Sequence, residues 1–212
     1  MTPGKLITIE GTEGAGKSTA LQFVQDYFVK ANQAIVITRE PGGTEIAEEI
    51  RRVLLYSSKT EAMQPDTELL LMFASRAQHI QQCIVPALSA GTWVVSDRYV
   101  DASYAYQGGG RGIDLHKIQT LDQLVVGKVY PHLTLLLDIP VELGVLRTEK
   151  RGLPKDRIEQ EKKEFFERVR QVYLERAKHD PGRIKIIDAS LSLAEVQAQI
   201  RSVLDTFMAE KS

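Results

Sequence analysis

The feature that most constrains the fold is an eight-residue segment near the start of the chain, Gly11-Thr12-Glu13-Gly14-Ala15-Gly16-Lys17-Ser18. The apolar run Leu6–Glu10 precedes it, and a segment with a helical pattern, Thr19–Lys30, follows it. A strand, a GxxxxGKS sequence and a helix in this order are typical of a phosphate-binding loop. Glycines let backbone N–H groups turn toward an anion, and the helix points its positive dipole end at the same place. The sequence therefore predicts a nucleoside triphosphate site, with Lys17 at the outer phosphates and the Ser18 hydroxyl available to Mg2+.

The overall composition excludes several classes of protein. The 212 residues contain no linker, repeat or low-complexity segment, so we expect one domain over residues 1–212. A net charge of −1 excludes the broad basic surface of a general nucleic-acid binder, and a single cysteine excludes an intrachain disulfide framework. No apolar run approaches the roughly 20 residues of a membrane span, and Met1–Lys5 lead directly into the first strand. We therefore expect a cytoplasmic protein with no nucleic-acid or membrane partner.

Apolar runs and helical patterns alternate along the whole chain. Most of the apolar runs lack an every-second-residue alternation, as expected for strands buried on both faces of a parallel sheet. This order predicts an α/β fold with a doubly wound, five-stranded parallel sheet. The predicted strands are Leu6–Glu10, Ala34–Thr38, Trp93–Ser96, Leu133–Leu137 and Ile184–Ile187. The predicted helices are Thr19–Lys30, Thr44–Leu55, Asp66–Leu88, Leu115–Val126, Val141–Lys150, Arg157–Lys178 and Leu193–Met208.

Charged residues follow the predicted strands, at the edge where parallel sheets bind ligands. Arg39 and Glu40 follow the second strand, and Asp97 and Arg98 follow the third. Asp97 stands where P-loop kinases and hydrolases keep an acidic group for Mg2+, bound directly or through water. Two forked guanidinium groups suit a phosphate monoester better than a hydrolytic water. We therefore expect the acceptor of the reaction to carry a phosphate.

A basic stretch, Arg147–Arg157, surrounds the Gly152-Leu153-Pro154 segment between the fourth and fifth strands. A basic loop that contains Gly and Pro can close over phosphates and exclude water. We expect a short lid at about residues 147–157. A solvated loop between two helices would have the same composition, and that alternative stays open here.

Four further motifs accompany the phosphate loop in a fixed order and extend over nearly the whole chain. The segments are Glu10-Gly11-Thr12-Glu13-Gly14-Ala15-Gly16-Lys17-Ser18-Thr19, Arg39-Glu40-Pro41-Gly42-Gly43-Thr44, Asp97-Arg98-Tyr99, Ala105-Tyr106-Gln107-Gly108-Gly109-Gly110-Arg111-Gly112 and Asp156-Arg157-Ile158-Glu159. The second and fourth segments are specific, and the set resembles the bacterial thymidylate kinases. The resemblance implies a P-loop kinase fold, a homodimer formed by helix packing, and phosphorylation of dTMP to dTDP by ATP and Mg2+, a step toward dTTP.

The resemblance also implies roles at the phosphates. The acceptor phosphate, with a second pKa of about 6, is already largely deprotonated, so no general base is needed. Lys17 would hold the transferring phosphoryl group, Arg98 would bridge the two phosphates, and Arg39 would orient the dTMP phosphate. Asp97 would complete the Mg2+ site with Ser18. The implied ATP-binding residues are Gly11, Thr12, Glu13, Gly14, Ala15, Gly16, Lys17, Ser18, Thr19 and Arg147, of which Arg147 would stack on adenine.

Recognition of dTMP is implied in the same way. Glu13 would accept the 3′-hydroxyl of the sugar, and Tyr106 would pack where a ribose 2′-hydroxyl would lie. Arg76 matches the donor to the thymine carbonyl, and Ser103 and Gln107 match polar contacts to the pyrimidine edge. The implied dTMP-binding residues are Glu13, Arg39, Glu40, Arg51, Phe73, Arg76, Arg98, Ser103, Tyr106 and Gln107.

Two departures from the family pattern leave alternatives open. Family members place a Phe on thymine, four residues before the thymine-binding Arg. Here that position is Met72 and Phe73 comes one residue later; we expect Phe73 to cover the base. The phosphate loop contains no Arg, so the lid must supply the catalytic positive charge. Arg151 is the predicted donor, with Lys150 and Lys155 as alternatives.

Two other functions are compatible with the phosphate loop by itself. A kinase for another nucleoside monophosphate would need a different set of polar residues at the base. A P-loop switch or partner-recruiting ATPase would need a hydrolytic water and exposed apolar switch segments. Two arginines at the acceptor edge and a basic lid favour phosphoryl transfer over a switch or a partner-recruiting ATPase.

Overall fold

The computed structural model describes residues 3–56, 61–152 and 156–209. Within these residues, five parallel strands form one sheet in the order β2-β3-β1-β4-β5. This confirms the predicted five-stranded parallel sheet, with strand ends within one residue of the prediction. The strands are β1 (Leu6–Glu10), β2 (Ile35–Arg39), β3 (Trp93–Asp97), β4 (Leu133–Asp138) and β5 (Ile184–Asp188).

Helices connect the strands and cover both faces of the sheet. The helices are α1 (Lys17–Lys30), α2 (Glu45–Tyr56), α3 (Pro65–His79), α4 (Val85–Ser89), α5 (Val100–Ser103), α6 (Leu115–Val125), α7 (Val141–Arg151), α8 (Lys163–His179) and α9 (Leu193–Ala209). Two π-helical segments, Ile80–Ile84 and Tyr104–Gly110, join α3 to α4 and extend α5.

The core lies in layers on the two sides of the sheet because successive side chains of a strand point to opposite faces. Ile7 and Ile9 of β1 pack against α1 and α9 on one face. Leu6 of the same strand packs on the other face with Phe73 of α3. The doubly wound arrangement predicted from the sequence is therefore present, and it places all five carboxyl strand ends along one edge.

The structure contains a helix that the sequence pattern does not predict, formed by α5 and the π-helical segment Tyr104–Gly110. Glycines are poor helix formers, and this segment ends in three of them. They permit α8 to approach closely. A Cβ at Gly109 would lie 2.6 Å from a Val172 methyl carbon, and one at Gly110 would lie 2.4 Å from the Phe165 ring. Tertiary packing overrides local propensity here.

Two predicted helices differ in detail. The segment Asp66–Leu88 is helical but includes the π-helical segment directly before Pro86, whose missing N–H breaks the α-helical ladder. Helix α8 begins at Lys163 and not at the predicted Arg157. Asp156 Oδ1 accepts the N–H groups of the second and third residues after it, both at 2.9 Å, and these bonds close a turn over residues 157–160.

Candidate active site

A cavity of about 590 Å³ extends along the carboxyl edge of the sheet. Arg39 and Asp97, after β2 and β3, line one end, and Ala189 and Leu193, after β5, line the other. The phosphate loop lies between the two ends because β1 is the central strand. Two ligands can therefore approach the loop from opposite ends of the same cavity.

The phosphate loop has the backbone that its glycines predict. Gly14 and Gly16 have φ angles of +74° and +89°, in the left-handed region that favours glycine. Residues 13–19 all line the cavity. The Lys17 ammonium donates to the carbonyl oxygens of Gly11 and Thr12 at 3.0 and 2.9 Å. Burial lowers the pKa of Lys17 to about 8, which leaves this side chain mainly charged at neutral pH.

Arg98, directly after β3, has a backbone conformation that is rare outside glycine. Its φ angle is +67°. Its N–H donates to the Ile9 carbonyl at 3.0 Å, and its carbonyl accepts the Ser96 hydroxyl at 2.7 Å. The next N–H, of Tyr99, donates to the Glu10 carboxylate at 2.8 Å. Hydrogen bonds on both sides hold a strained conformation, a feature that concentrates at functional sites.

The Arg98 side chain joins two residues that the resemblance assigns to the sugar. Its Nη2 donates to Glu13 Oε1 at 2.8 Å and to the Tyr106 hydroxyl at 2.9 Å. The Tyr106 hydroxyl in turn donates to Glu13 Oε2 at 2.8 Å. Burial opposes the charge of Arg98, but Tyr106 and Glu13 outweigh it and raise the pKa, so the guanidinium is a permanent cation.

Arg39, predicted to orient the dTMP phosphate, and Arg51, predicted to bind dTMP, both line the cavity. The Arg39 side chain is 52% exposed and donates to both carboxylate oxygens of Glu48 at 3.0 and 2.9 Å. Arg51 donates to the Pro41 carbonyl at 2.8 Å. Exposed ion pairs are weak, so Arg39 can exchange Glu48 for an anionic ligand at small cost.

Glu40 is buried between two cations and orients one of them. Its Oε2 accepts Arg76 Nε at 2.7 Å, and its Oε1 accepts His79 Nδ1 at 2.9 Å. The other ring nitrogen of His79 lies 2.7 Å from Thr38 Oγ1. Burial by itself would lower the pKa of His79, but hydrogen bonds with Cys83 and Glu40 raise it to about 9. Glu40 therefore fixes the direction of the Arg76 guanidinium.

Arg76, Ser103 and Gln107 form a buried polar wall of the cavity. Each is at most 2% exposed, and all three line the cavity. Arg76 donates from Nη1 to Ser103 Oγ and from Nη2 to the Tyr99 carbonyl, both at 3.0 Å. Gln107 donates from Nε2 to Glu68 Oε1 at 2.8 Å. Convergent polar groups on one wall of a pocket are typical of a surface that recognises a small molecule.

The expectation that Phe73 covers the base is corrected by its position. Phe73 is 2% exposed and packs in the core with Leu6 and Tyr99, where the Arg76 guanidinium lies 4.7 Å from its ring. Met72, one residue earlier, lines the cavity. A helix turns by about 100° per residue, so Met72 and Phe73 point in different directions, and here one side chain reaches the cavity while the other packs in the core. Met72, and not Phe73, is therefore the residue of this pair that reaches the cavity.

The described residues at the two ends of the predicted lid contact the rest of the protein. Arg147 lines the end near α9 and donates to the Ala189 carbonyl at 2.9 Å. Arg157 pairs with the buried Glu68 at 2.7 Å and donates to the Leu54 carbonyl at 3.0 Å. The two ends of the basic stretch are therefore fixed to the protein body.

The predicted catalytic role of Arg151 concerns a side chain that lies outside the described residues. Helix α7 ends at Arg151, and Gly152 follows with a φ angle of +66°. The alternative Lys155 also lies outside the described residues, whereas Lys150 is exposed on α7.

Asp97 and Ser18 have the chemistry of a Mg2+ site. In the part of the chain that the structure describes, Asp97 Oδ1 is buried without a hydrogen-bond partner. Ser18 lies in the first turn of α1 and lines the same cavity. Mg2+ binds through one or two carboxylates together with phosphate oxygens and water. Among the described residues, no group of three or more His, Cys, Asp or Glu side chains could hold a metal ion.

Two buried carboxylates near the site are absent from the predicted set. Glu10 accepts the Tyr173 hydroxyl at 2.6 Å, and burial with the nearby charge of Asp101 raises its pKa to about 8. Glu68 contacts Gln107 and is 1% exposed. One signal in the sequence could have identified Glu10, because it is an acidic residue at the end of an apolar run, which is costly unless a partner is present. Glu68 has no such signal, because it lies in the polar first turn of α3, where acidic residues are common.

These observations define the class of the protein. A phosphate loop at the centre of the sheet, with a buried polar wall and two arginines lining the same cavity, is the arrangement of a P-loop phosphotransferase. A model of the thymidylate kinase family matches residues 9–200. The chain therefore belongs to the thymidylate kinase family, as its motifs indicate.

Individual relatives agree with the family match. The thymidylate kinase of Vesicomyosocius okutanii is 54% identical over 204 residues, which cover 96% of this chain and 98% of that protein. That of Chromohalobacter salexigens is 51% identical over 212 residues and the full length of both chains. The crystal structure of thymidylate kinase from Ehrlichia chaffeensis has a TM-score of 0.76 and 32% identity, and covers 96% of this chain and 99% of its own.

Among the described helices, none combines the length and the apolar character that crossing a membrane requires.

Proposed function

We propose that this chain transfers the γ-phosphoryl group of ATP to dTMP, which gives ADP and dTDP. The observation that carries the proposal is the shared cavity, in which Lys17 and Arg98 lie between two ligand ends. The end near β2 carries Arg39 and the buried wall of Arg76, which suit a nucleoside monophosphate. The end near α9 suits the adenosine of ATP.

Positioning and charge neutralisation carry out the reaction. The acceptor phosphate is mostly dianionic at neutral pH, so its oxygen attacks without a general base. Lys17 holds the transferring phosphoryl group, and Arg98 bridges donor and acceptor. Both are cations inside a partly buried site, where a charge stabilises the transition state far more than in water. Arg39 and Arg51 hold the acceptor phosphate in line.

The sugar is recognised by the residues around Arg98. Glu13 accepts the 3′-hydroxyl, since its carboxylate is held at the edge of the cavity by Arg98 and Tyr106. The Tyr106 ring occupies the space next to C2′ and favours deoxyribose. At the base, Arg76 donates to a thymine carbonyl, Ser103 and Gln107 complete the polar edge, and Met72 covers the ring.

Mg2+ belongs to the proposed reaction as a partner of ATP. Ser18 would hold it through its hydroxyl and Asp97 through water. The ion neutralises charge on the phosphate oxygens when it is bound. Arg147 would stack on adenine, and Arg151 stays the predicted lid cation.

A monophosphate panel tests the function. Purified protein, ATP and Mg2+ are incubated with dTMP, dCMP, dGMP and dAMP, and ADP formation is followed. We expect kcat/KM for dTMP to exceed that for the others by at least about a hundredfold. Equal use of another monophosphate would assign a different base specificity, and ATP hydrolysis that no acceptor stimulates would assign a switch or ATPase function.

We further propose a cytoplasmic homodimer that binds no nucleic acid. Helix α3 contacts both α2 and α6. Each of these three helices exposes a large apolar side chain: Tyr56 is 71% exposed, Leu70 58% and Leu124 78%. Packing of these helices against a second copy would remove this apolar surface from water.

A further inference from the structure

Glu68 of α3 is a buried carboxylate held by three polar side chains. Its Oε1 accepts Gln107 Nε2 at 2.8 Å. Its Oε2 lies 3.1 Å from Arg111 Nε and 2.7 Å from Arg157 Nη2. Glu68 is 1% exposed and has three polar partners. Its carboxylate is therefore held in one position next to the Gln107 amide.

The charge of Glu68 decides which way the Gln107 amide turns. Burial by itself would raise the pKa of Glu68, but the hydrogen bond from Gln107 and the charge of Arg111 lower it below its ordinary value. An ionised carboxylate accepts hydrogen bonds and cannot donate one. Gln107 must therefore direct its NH2 group at Glu68. Among the described residues no donor reaches Gln107 Oε1, and Gln107 lines the cavity.

We propose that Glu68 is a positioning residue for base selection, which locks the Gln107 amide with its carbonyl oxygen toward the nucleobase. The inference rests on the proposed function, because it concerns the base of the acceptor. The buried wall then offers N–H donors from Arg76 beside one acceptor from Gln107. Thymine presents the complementary pair, an acceptor at O4 and a donor at N3–H.

Cytosine presents the reverse pair at the same positions. Its exocyclic amino group would meet the Arg76 donors, and its N3 lone pair would meet the Gln107 oxygen. A free glutamine could rotate its amide to suit cytosine N3, but this one cannot, because rotation would place a carbonyl oxygen against the Glu68 carboxylate. Buried polar groups that face the wrong partner are the strongest source of specificity in small pockets.

The test compares dTMP with 5-methyl-dCMP, which has the same methyl group, sugar and phosphate but the hydrogen-bonding edge of cytosine. Wild-type protein is expected to prefer dTMP strongly in kcat/KM. In Glu68→Gln the neighbouring amide can accept or donate, so Gln107 is free to rotate. We expect the dTMP to 5-methyl-dCMP ratio to fall about tenfold or more.

Two further variants separate positioning from a general structural role. Arg111→Lys alters a different partner of Glu68 but keeps a positive charge beside the carboxylate, so the ratio should stay within about twofold of wild type. Gln107→Leu should lower the ratio, and adding Glu68→Gln to it should change the ratio no further. A purely structural Glu68 would give additive effects in the double variant.

The outcomes are distinguishable. A folded Glu68→Gln variant with the wild-type ratio would overturn the inference and leave the proposed function intact. A wild-type protein that does not phosphorylate dTMP would overturn both. Should Glu68→Gln not fold, as judged by circular dichroism, Gln107→Leu decides, because an unchanged ratio in that variant shows that Gln107 does not read the base.

Discussion

At the scale of single residues, Arg98 combines a strained backbone with the central position in the site. The left-handed conformation costs a non-glycine residue roughly 1 kcal/mol or more. Ser96 and Glu10 supply hydrogen bonds that offset this cost and place the guanidinium against Glu13 and Tyr106. The strained backbone conformation of Arg98 is therefore what directs its side chain to the centre of the cavity.

Replacing Arg98 by alanine and by glycine separates the two effects. Both variants should lower kcat/KM for dTMP by about a hundredfold to a thousandfold, because both lose the same cation. Arg98→Gly should be more stable than Arg98→Ala by about 1 kcal/mol, since glycine adopts a φ of +67° without strain. Steady-state kinetics and urea unfolding measure the two quantities.

Arg201→Ala is the matched control for the loss of an arginine. The Arg201 guanidinium lies 5.3 Å from the Phe23 ring, and neither residue lines the cavity. We expect activity close to wild type. Equal unfolding free energies for the two Arg98 variants would contradict the argument from strain.

His79 should make stability depend on pH. Its pKa is about 9 in the folded protein and about 6.5 in an unfolded chain, so folding favours the protonated ring. This stabilisation is fully present below about pH 6.5 and is lost as the pH rises through about 9. The unfolding free energy of wild type minus that of His79→Gln should therefore fall by roughly 2 to 3 kcal/mol between pH 6 and pH 9.5.

The difference between the two proteins is the quantity to measure. Glu10 and Lys17 also have shifted pKa values, each about 8, but they are present in both proteins and cancel in the difference. A difference that does not change with pH would show that His79 is not charged in the folded state.

At the scale of helices and loops, α7 touches the phosphate loop through two glycines. A Cβ at Gly14 would lie 2.1 Å from the Gly144 carbonyl oxygen, and one at Gly144 would lie 2.5 Å from the Glu13 carbonyl oxygen. No real Cβ approaches a carbonyl oxygen so closely. The phosphate loop therefore packs directly against the helix that carries Arg147.

Gly144→Ala should move the loop and the helix apart. We expect KM for ATP to rise about tenfold, because the loop N–H groups lose their alignment with the phosphates, while KM for dTMP changes less. Leu146→Ala, at a 52% exposed position of the same helix, is the control and should behave as wild type. An unaltered KM for ATP in Gly144→Ala would show that the loop tolerates the displacement.

The elements also show where sequence patterns succeed. Long periodic segments such as Leu193–Met208 were predictable because one face is apolar and the helix packs as its pattern requires. The helix that ends in three glycines was not, because its stability comes from α8, which lies far away in the chain. Phe73 illustrates the same limit: position within a motif does not reveal which of two adjacent residues faces the core.

At the scale of the whole molecule, the order of strand and helix predicts the sheet and the edge that holds the site. It does not reveal which side chains pair with one another at that edge. The ion pair of Glu68 with Arg157 joins residues from distant parts of the sequence, and no local pattern marks it. An acidic residue next to an apolar run, such as Glu10, indicates that a partner exists, and only the folded chain shows which one.

Oligomeric state can be tested on the exposed helices. We expect the wild type to elute at twice the monomer mass in size-exclusion chromatography with light scattering. Leu70→Arg should shift it toward monomer, because it places a charge among apolar side chains at the proposed interface. Leu191→Arg, at a 41% exposed position near α9, is the control. A monomeric wild type would contradict the proposed dimer.

The central position of β1 has a consequence for ligands that span the site. The loop after β1 separates two ends of one continuous cavity. We therefore expect that a molecule with a pyrimidine nucleoside and an adenosine joined by a single phosphate chain can occupy both ends together. Binding of one nucleoside would hold the other at a high effective concentration near its own end of the cavity. Such a tethered molecule should compete with both substrates and should bind far more tightly than either nucleotide alone.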